Sequence, residues 1–368
     1  MFTKQTLLAF IGALALAAAK TTTEKTPTQA EIDAARATVL PYSPVSNVKG
    51  LVFDRFVNIW LENTDFETAA LDENLSKLAK EGILLTNYFA ITHPSEPNYC
   101  ASAGGDTFGM DSDDFLQIPA NVSTIADLFD IKHIAWGEYQ EDMLLPQHMF
   151  ITPNMTNDSH DTNVTVAGDW VARFLPPLLK NEHFNRDSLV LLTFDETGNY
   201  SHPNRIFSFL VGGAIPEHLK GTTDDTFYTH YSIIASLSAN WGLPSLGRWD
   251  CGANLLEMVA EKTGYVNWKV DASNAYVNQT YPGPLSTKNY SSKWAVPAIK
   301  GKCSAGHGIA QVVKQTYHGL QPTYDYTSPV PYDATSGNNI GIKYHRTLKH
   351  GKTETGVTGQ TSDSQMPI

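Results

Sequence analysis

Ser188-Leu-Val-Leu-Leu-Thr-Phe194, followed at once by Asp195-Glu196, is the stretch on which the fold turns. An unbroken apolar run of this length predicts a strand covered on both faces, as parallel strands are. A second run, LVFDRFVNIWL at 51–61, ends the same way, at Glu62. Around these two, ILLTNYFA (83–90), IKHIAWG (131–137) and IFSFLVGG (206–213) read as further strands. Helical spacing falls between them. DENLSKLAKEG (72–82) has a glycine stop, Ser123 to Phe129 is capped, GDWVARFLPPLL (168–179) is broken at Pro176-Pro177, and Thr229 to Trp241 forms another helix. Alternation of this kind predicts an α/β fold, a doubly wound and mostly parallel sheet with helices on both faces. Its ligand crevice lies at the carboxyl ends of the strands, where Glu62 and Asp195-Glu196 stand.

The 368 residues are 42% hydrophobic and 17% charged, enough apolar material for a large core. With 26 Lys and Arg against 38 Asp and Glu, the net charge is −12. No basic face is available for nucleic acid, so nucleic-acid binding is excluded. Phosphoester chemistry stays open, because a bound metal ion reverses the local field.

Met1-Phe-Thr-Lys4 followed by LLAFIGALALAAA (7–19) has the form of a secretory signal peptide ending near Ala19, too short to span a bilayer. Sequons at Asn74, Asn121, Asn154, Asn157, Asn163, Asn199, Asn278 and Asn289 agree with export as a glycoprotein. No later stretch predicts a membrane span. Of the three cysteines, Cys251 and Cys303 flank a loop-rich segment and are expected to pair, leaving Cys100 as a small core residue. The predicted organisation is a signal peptide at 1–19, a catalytic domain at 20–303 beginning with a polar leader arm, and a surface-lying or disordered extension at 304–368.

Three segments place reactive groups beside these elements. Glu62-Asn63 offers a carboxylate and a carboxamide oxygen suited to a hard divalent cation. Adjacent Asp195 and Glu196 repel each other unless a cation holds them. Ser95, before Pro97, stands where a helix begins, either as a cap or as a nucleophile at the positive end of the helix dipole. Asn157-Asp158-Ser-His160-Asp161 gathers acids and a histidine in a polar loop. His133, His148, His183 and His218 have no partner pattern and read as structural.

The segments WLENTDF (60–66), HPSEPNYCASAGG (93–105), PNMTNDSHD (153–161), TFDETGNYSHP (193–203) and YTHYSIIASLSANWGLP (228–244) occur in an order that resembles the phosphoesterase family. That family includes bacterial phospholipases C and secreted fungal phosphate-repressible acid phosphatases, and the chain looks most like the latter. The resemblance implies an alkaline-phosphatase-like fold and hydrolysis of small phosphate monoesters in the extracellular space. It implies Ser95 as nucleophile, His160 as phosphate ligand or proton donor, and a metal site made by Glu62, Asn63, Asp195 and Glu196; because only this one set is apparent in the sequence, a single divalent metal is expected. His93, Asp158, His202 and His230 are further phosphate-binding candidates. A phosphodiesterase or phospholipase C on the same site, a non-catalytic secreted binding glycoprotein, and a glycosidase using Glu62 and Glu196 are the alternative readings.

Overall fold

The computed structural model describes Ala30 and residues 46–140, 146–278, 280–304, 306–324, 328–332 and 340–359. The predicted signal peptide and all but Ala30 of the leader arm lie outside the described residues. From the amino end the chain runs β1 (Arg55–Leu61), α1 (Phe66–Leu71), α2 (Glu73–Ala79), β2 (Ile83–Leu85), β3 (Tyr88–Phe89), α3 (Glu96–Gly104), α4 (Ile125–Ile131), β4 (Trp136–Gln140) and β5 (His148–Thr152). It continues through α5 (Val164–Lys180), α6 (Glu182–Asn185), β6 (Ser188–Phe194), β7 (Ser208–Val211), β8 (Thr222–Asp224) and β9 (Tyr228–Thr229). Then come α7 (Tyr231–Trp241), α8 (Glu257–Thr263), β10 (Lys269–Val270), α9 (Gln311–Thr316), β11 (Lys343–Thr347) and β12 (Thr353–Val357).

Seven strands form the central sheet in the order β4-β5-β1-β6-β7-β2-β8. Strands β4, β5, β1 and β6 are mutually parallel, β7 runs antiparallel to both its neighbours, and β2 and β8 are parallel. The expected α/β sheet with helices around it is therefore present. Every residue of β6 is buried, as is all of β1 after Arg55. Successive side chains point to opposite faces, so complete burial means that both faces are covered. The parallel register of β1 and β6 pairs Trp60 with Thr193 and Leu61 with Phe194. That register delivers Glu62 and Asp195 side by side at the sheet's carboxyl edge, where Asp195 N–H donates to Leu61 O at 3.0 Å.

Several local expectations differ from what the chain does. Residues 83–90 make two short strands in different sheets, because the chain turns at Thr86-Asn87 to pair β3 with β9. Helix α5 runs through Pro176 and Pro177 to Lys180. Proline's fixed φ is itself helical, and near the end of the helix the cost falls on two missing N–H donors. The segment after Cys303 is not a simple surface extension. Ile309, Ala310, Val313 and Tyr317 join the main core, and β11 and β12 extend a small sheet with β10. Tyr332 is buried and donates to Asp106 Oδ1 at 2.7 Å, while Tyr281 donates to Oδ2 at 2.6 Å. Tyr324 donates to the same Oδ2, so two of the tail's tyrosines, which dilute any apolar periodicity, spend their hydroxyls on one buried carboxylate. Its residues 305, 325–327, 333–339 and 360–368 lie outside the described residues.

Cys251 and Cys303 are joined in a disulfide, and Cys100 is free and half-buried within α3. The sequon residues Asn121, Asn154, Asn163, Asn199 and Asn289 are exposed, and Asn74, Asn157 and Asn278 are half-buried. Among the described residues no helix is long and apolar enough to cross a membrane.

Candidate active site

Helix α3 decides what Ser95 can do. Ser95 occupies the N-cap position, but its hydroxyl makes no capping bond to the helix. Instead Oγ donates to Glu62 Oε2 at 3.2 Å and faces Glu196 Oε1 at 3.4 Å. A serine whose oxygen is not spent on the backbone, at the positive end of a nine-residue helix, is placed for chemistry at an anion. The other end of α3 is fixed by Gly105, left-handed at φ 74°, and by Arg248. The fully buried Arg248 guanidinium donates to Gly104 O at 2.5 Å and to Ser123 O at 2.7 Å.

Three carboxylates surround that hydroxyl. Glu62 is almost fully buried, with Tyr99 OH donating to Oε1 at 3.0 Å. Glu196 is fully buried and bonds His93 Nδ1 through Oε2 at 2.7 Å, while Tyr200 OH stands 3.4 Å from Oε1. Asp195 accepts its neighbour Glu196 N–H on Oδ1 at 2.8 Å, and its buried Oδ2 has no hydrogen-bond partner. Burial raises the acid range of all three. For Asp195 the charges of Glu62 and Glu196 raise it further, and for Glu62 the Tyr99 bond and the His160 charge oppose the rise. Buried like charges are costly unless a cation compensates them.

A hard divalent cation suits this donor set, with Glu62, Asp195 and Glu196 as carboxylate ligands and the orphaned Asp195 Oδ2 as a ready one. Asn63 follows Glu62 and lies beside the second loop, since a Cβ on Gly198 would stand 3.1 Å from its carbonyl and 3.9 Å from its Oδ1. Among the described residues no three His, Cys, Asp or Glu side chains are grouped to hold an ion as they stand. Glu62 and Glu196 are instead turned toward Ser95, Tyr99 and His93.

The histidines divide by location. His93 is buried and stacks on Tyr200 with ring centroids 3.9 Å apart, and its Nε2 has no partner. His160 is exposed and bonds Asp161 Oδ1 at 2.9 Å, which raises its basicity above the ordinary histidine value. Asp158 tethers the same loop by accepting the His160 N–H at 2.8 Å, while Glu62 N–H donates to the Asp158 carbonyl at 2.9 Å. Burial raises the Asp158 acid range to about 6.

Two of the expected phosphate ligands sit elsewhere. His230 is fully buried, donates from Nε2 to Asp195 O at 2.8 Å, and stands 3.3 Å from Tyr88 OH through Nδ1. Burial lowers its pKa to about 4, so it is a neutral support for the Asp195 backbone, with both ring nitrogens turned to that carbonyl and to Tyr88 OH. His202 is exposed, with Nδ1 3.5 Å from Asp65 Oδ2 on the outer loop, and has no bond to Ser95 or the three carboxylates. Sequence reading missed Tyr99 and Arg248. Tyr99 lies one helical turn past Ser95, the spacing that could have signalled it, whereas nothing local marks Arg248.

A model of the phosphoesterase family matches residues 64–144 and 141–244, stretches that contain Ser95, His160 and Asp195-Glu196. The chain is 75% identical to a phosphate-repressible acid phosphatase of Penicillium chrysogenum, across 95% of this chain and 98% of that one. It is 57% identical to an acid phosphatase of Aspergillus niger, across 97% and 100%. Among solved structures, an alkaline phosphatase superfamily protein of Vibrio parahaemolyticus overlaps 58% of this chain and 75% of that chain, with 12% identity and a TM-score of 0.40. With Ser95, His160 and Asp195-Glu196 inside the matched stretches, Glu62-Asn63 just ahead of them, and relatives alike along nearly their whole length, the chain belongs to the phosphoesterase family.

Proposed function

We propose that this protein is a secreted, metal-dependent acid phosphatase that hydrolyses phosphate monoesters through Ser95. The observation that carries this reading is the Ser95 hydroxyl, unused as a cap and set between the Glu62 and Glu196 carboxylates. The names of the two fungal relatives support the reaction class.

The phosphoryl group of the substrate sits beside Ser95 at the amino end of α3, where the helix dipole favours an anion, although the first helical N–H, that of Glu96, is held by Asp113 Oδ1 at 2.9 Å. Ser95 Oγ attacks phosphorus in line, and its proton passes to a neighbouring carboxylate. The P–O bond to the alcohol breaks, and protonated His160 returns a proton to the leaving oxygen, giving the alcohol and a phosphoserine. Water then attacks phosphorus, freeing Ser95 and inorganic phosphate. Glu62, Asn63, Asp195 and Glu196 would hold a divalent metal, which when bound supplies charge neutralisation at the phosphoryl oxygens and favours serine ionisation. Tyr99 and His93 orient the carboxylates, and His230 holds the Asp195 backbone. The Cys251–Cys303 disulfide and the exposed sequons support export to an oxidising compartment.

The test is phosphate release at pH 5 from a chromogenic monoester and from its matching diester. A monoester rate well above the diester rate is expected. A diester preference, or inactivity on both with metal present, overturns the assignment.

A further inference from the structure

A cavity of about 700 Å³ opens beside the carboxylates, and the steps above leave it unused. Glu62 and Tyr99 belong to its wall, so it begins at the carboxylate that accepts the Ser95 hydroxyl and at the tyrosine bonded to that same carboxylate. Trp60, Phe129 and Phe150 also line it, and Trp60 stacks on Phe150 with ring centroids 5.3 Å apart. Its volume matches a small-molecule site and exceeds what a phosphate needs. Aromatic walls offer a phosphate no donors. The described residues that line it include the acids Glu62, Glu138 and Asp158 and no Lys or Arg.

We propose that this cavity is the leaving-group subsite, binding the aromatic or bulky apolar alcohol portion of the monoester and disfavouring alcohols that carry a second anionic group. The proposal rests on the phosphatase reading and adds the substrate class. Transfer of an aromatic ring from water to such walls favours its ester by about tenfold or more over a methyl ester. A carboxylate or second phosphate on the alcohol meets aromatic walls and acids, with no Lys or Arg among the described lining residues to pair it, and forfeits that gain.

The experiment compares kcat/KM for benzyl phosphate, methyl phosphate and 4-carboxybenzyl phosphate with the full-length secreted protein. Benzyl and methyl alcohols are similarly acidic, so leaving-group chemistry does not separate them. A benzyl preference of about tenfold or more, with the carboxylated ester near the methyl level, is expected. Ala126→Trp fills the cavity from α4, and Met155→Trp fills it from an exposed loop where folding is not at risk. Both variants should bring the benzyl-to-methyl ratio close to one. Equal rates on benzyl and methyl phosphate in the unmodified protein overturn the subsite, as does a preference that survives both fillings. Hydrolysis of no monoester overturns the phosphatase reading and the subsite with it.

Discussion

Ser95 Oγ lies 3.2 Å from Glu62 Oε2, joining the start of α3 to the end of β1 across 33 residues of chain. The contact exists because β1 delivers Glu62 to the sheet edge and because the serine at the cap position does not cap. Ser95→Ala therefore removes the attacking oxygen without removing a capping bond. Turnover on a monoester should fall about ten-thousandfold or more with little change in thermal stability. Retained turnover in a folded Ser95→Ala protein would falsify the nucleophile assignment.

The second relationship is the crowding of Glu62, Asp195 and Glu196. Burial and mutual repulsion raise their acid ranges, and Asp195 Oδ2 is left without a partner. A cation that binds the folded state alone stabilises it by mass action. Chelation should abolish monoesterase activity and lower the Tm, and added divalent cation should restore both. Asp195→Asn should blunt the Tm response, since it removes a charge from the repelling set. An exhaustively chelated protein that keeps full activity would sink the metal reading.

His160 carries the pH dependence of leaving-group protonation. Its bond to Asp161 raises its pKa, so the charged form is present below that pKa and lost as pH rises through it. The alkaline limb of kcat/KM should thus fall above the ordinary histidine value of about 6.5. His160→Gln should lower the acid plateau by about a hundredfold and flatten that limb. A pH–rate profile of the variant that superimposes on the parent would remove His160 from the reaction.

The sheet and the reactive segments were legible because their signals are local. Apolar runs ending in Glu62 and in Asp195-Glu196 announce buried strands and the chemistry at their ends. Ser95 was legible as a helix start, but its choice between cap and nucleophile needed the coordinates, since it depends on where Glu62 lies in space. His230 is a site candidate only through the family resemblance, and the partners that give it a packing role, Tyr88 OH and the Asp195 carbonyl, are distant in sequence. The tail misled for a related reason. Tyr332 and Tyr324 converge on Asp106 from 226 and 218 residues further along the chain, and no composition window records such a convergence.

His148 should limit stability in acid, the range in which this protein is proposed to work. It is buried in β5, its ring 4.7 Å from Phe129 and 6.0 Å from Phe56, and burial lowers its pKa to about 3. A depressed folded-state pKa means that the neutral form is favoured in the fold. Stability is complete above the unfolded value near 6.5 and is lost as pH falls from there toward 3. Each pH unit in that window costs at most about 1.4 kcal/mol from this group. His148→Phe keeps the aromatic packing and removes the proton site. Its Tm should fall less than the parent's between pH 6.5 and pH 4, while the two proteins differ little in slope above pH 7. Parallel Tm–pH curves for the two proteins across that window would mean that His148 is not the acid-sensitive group.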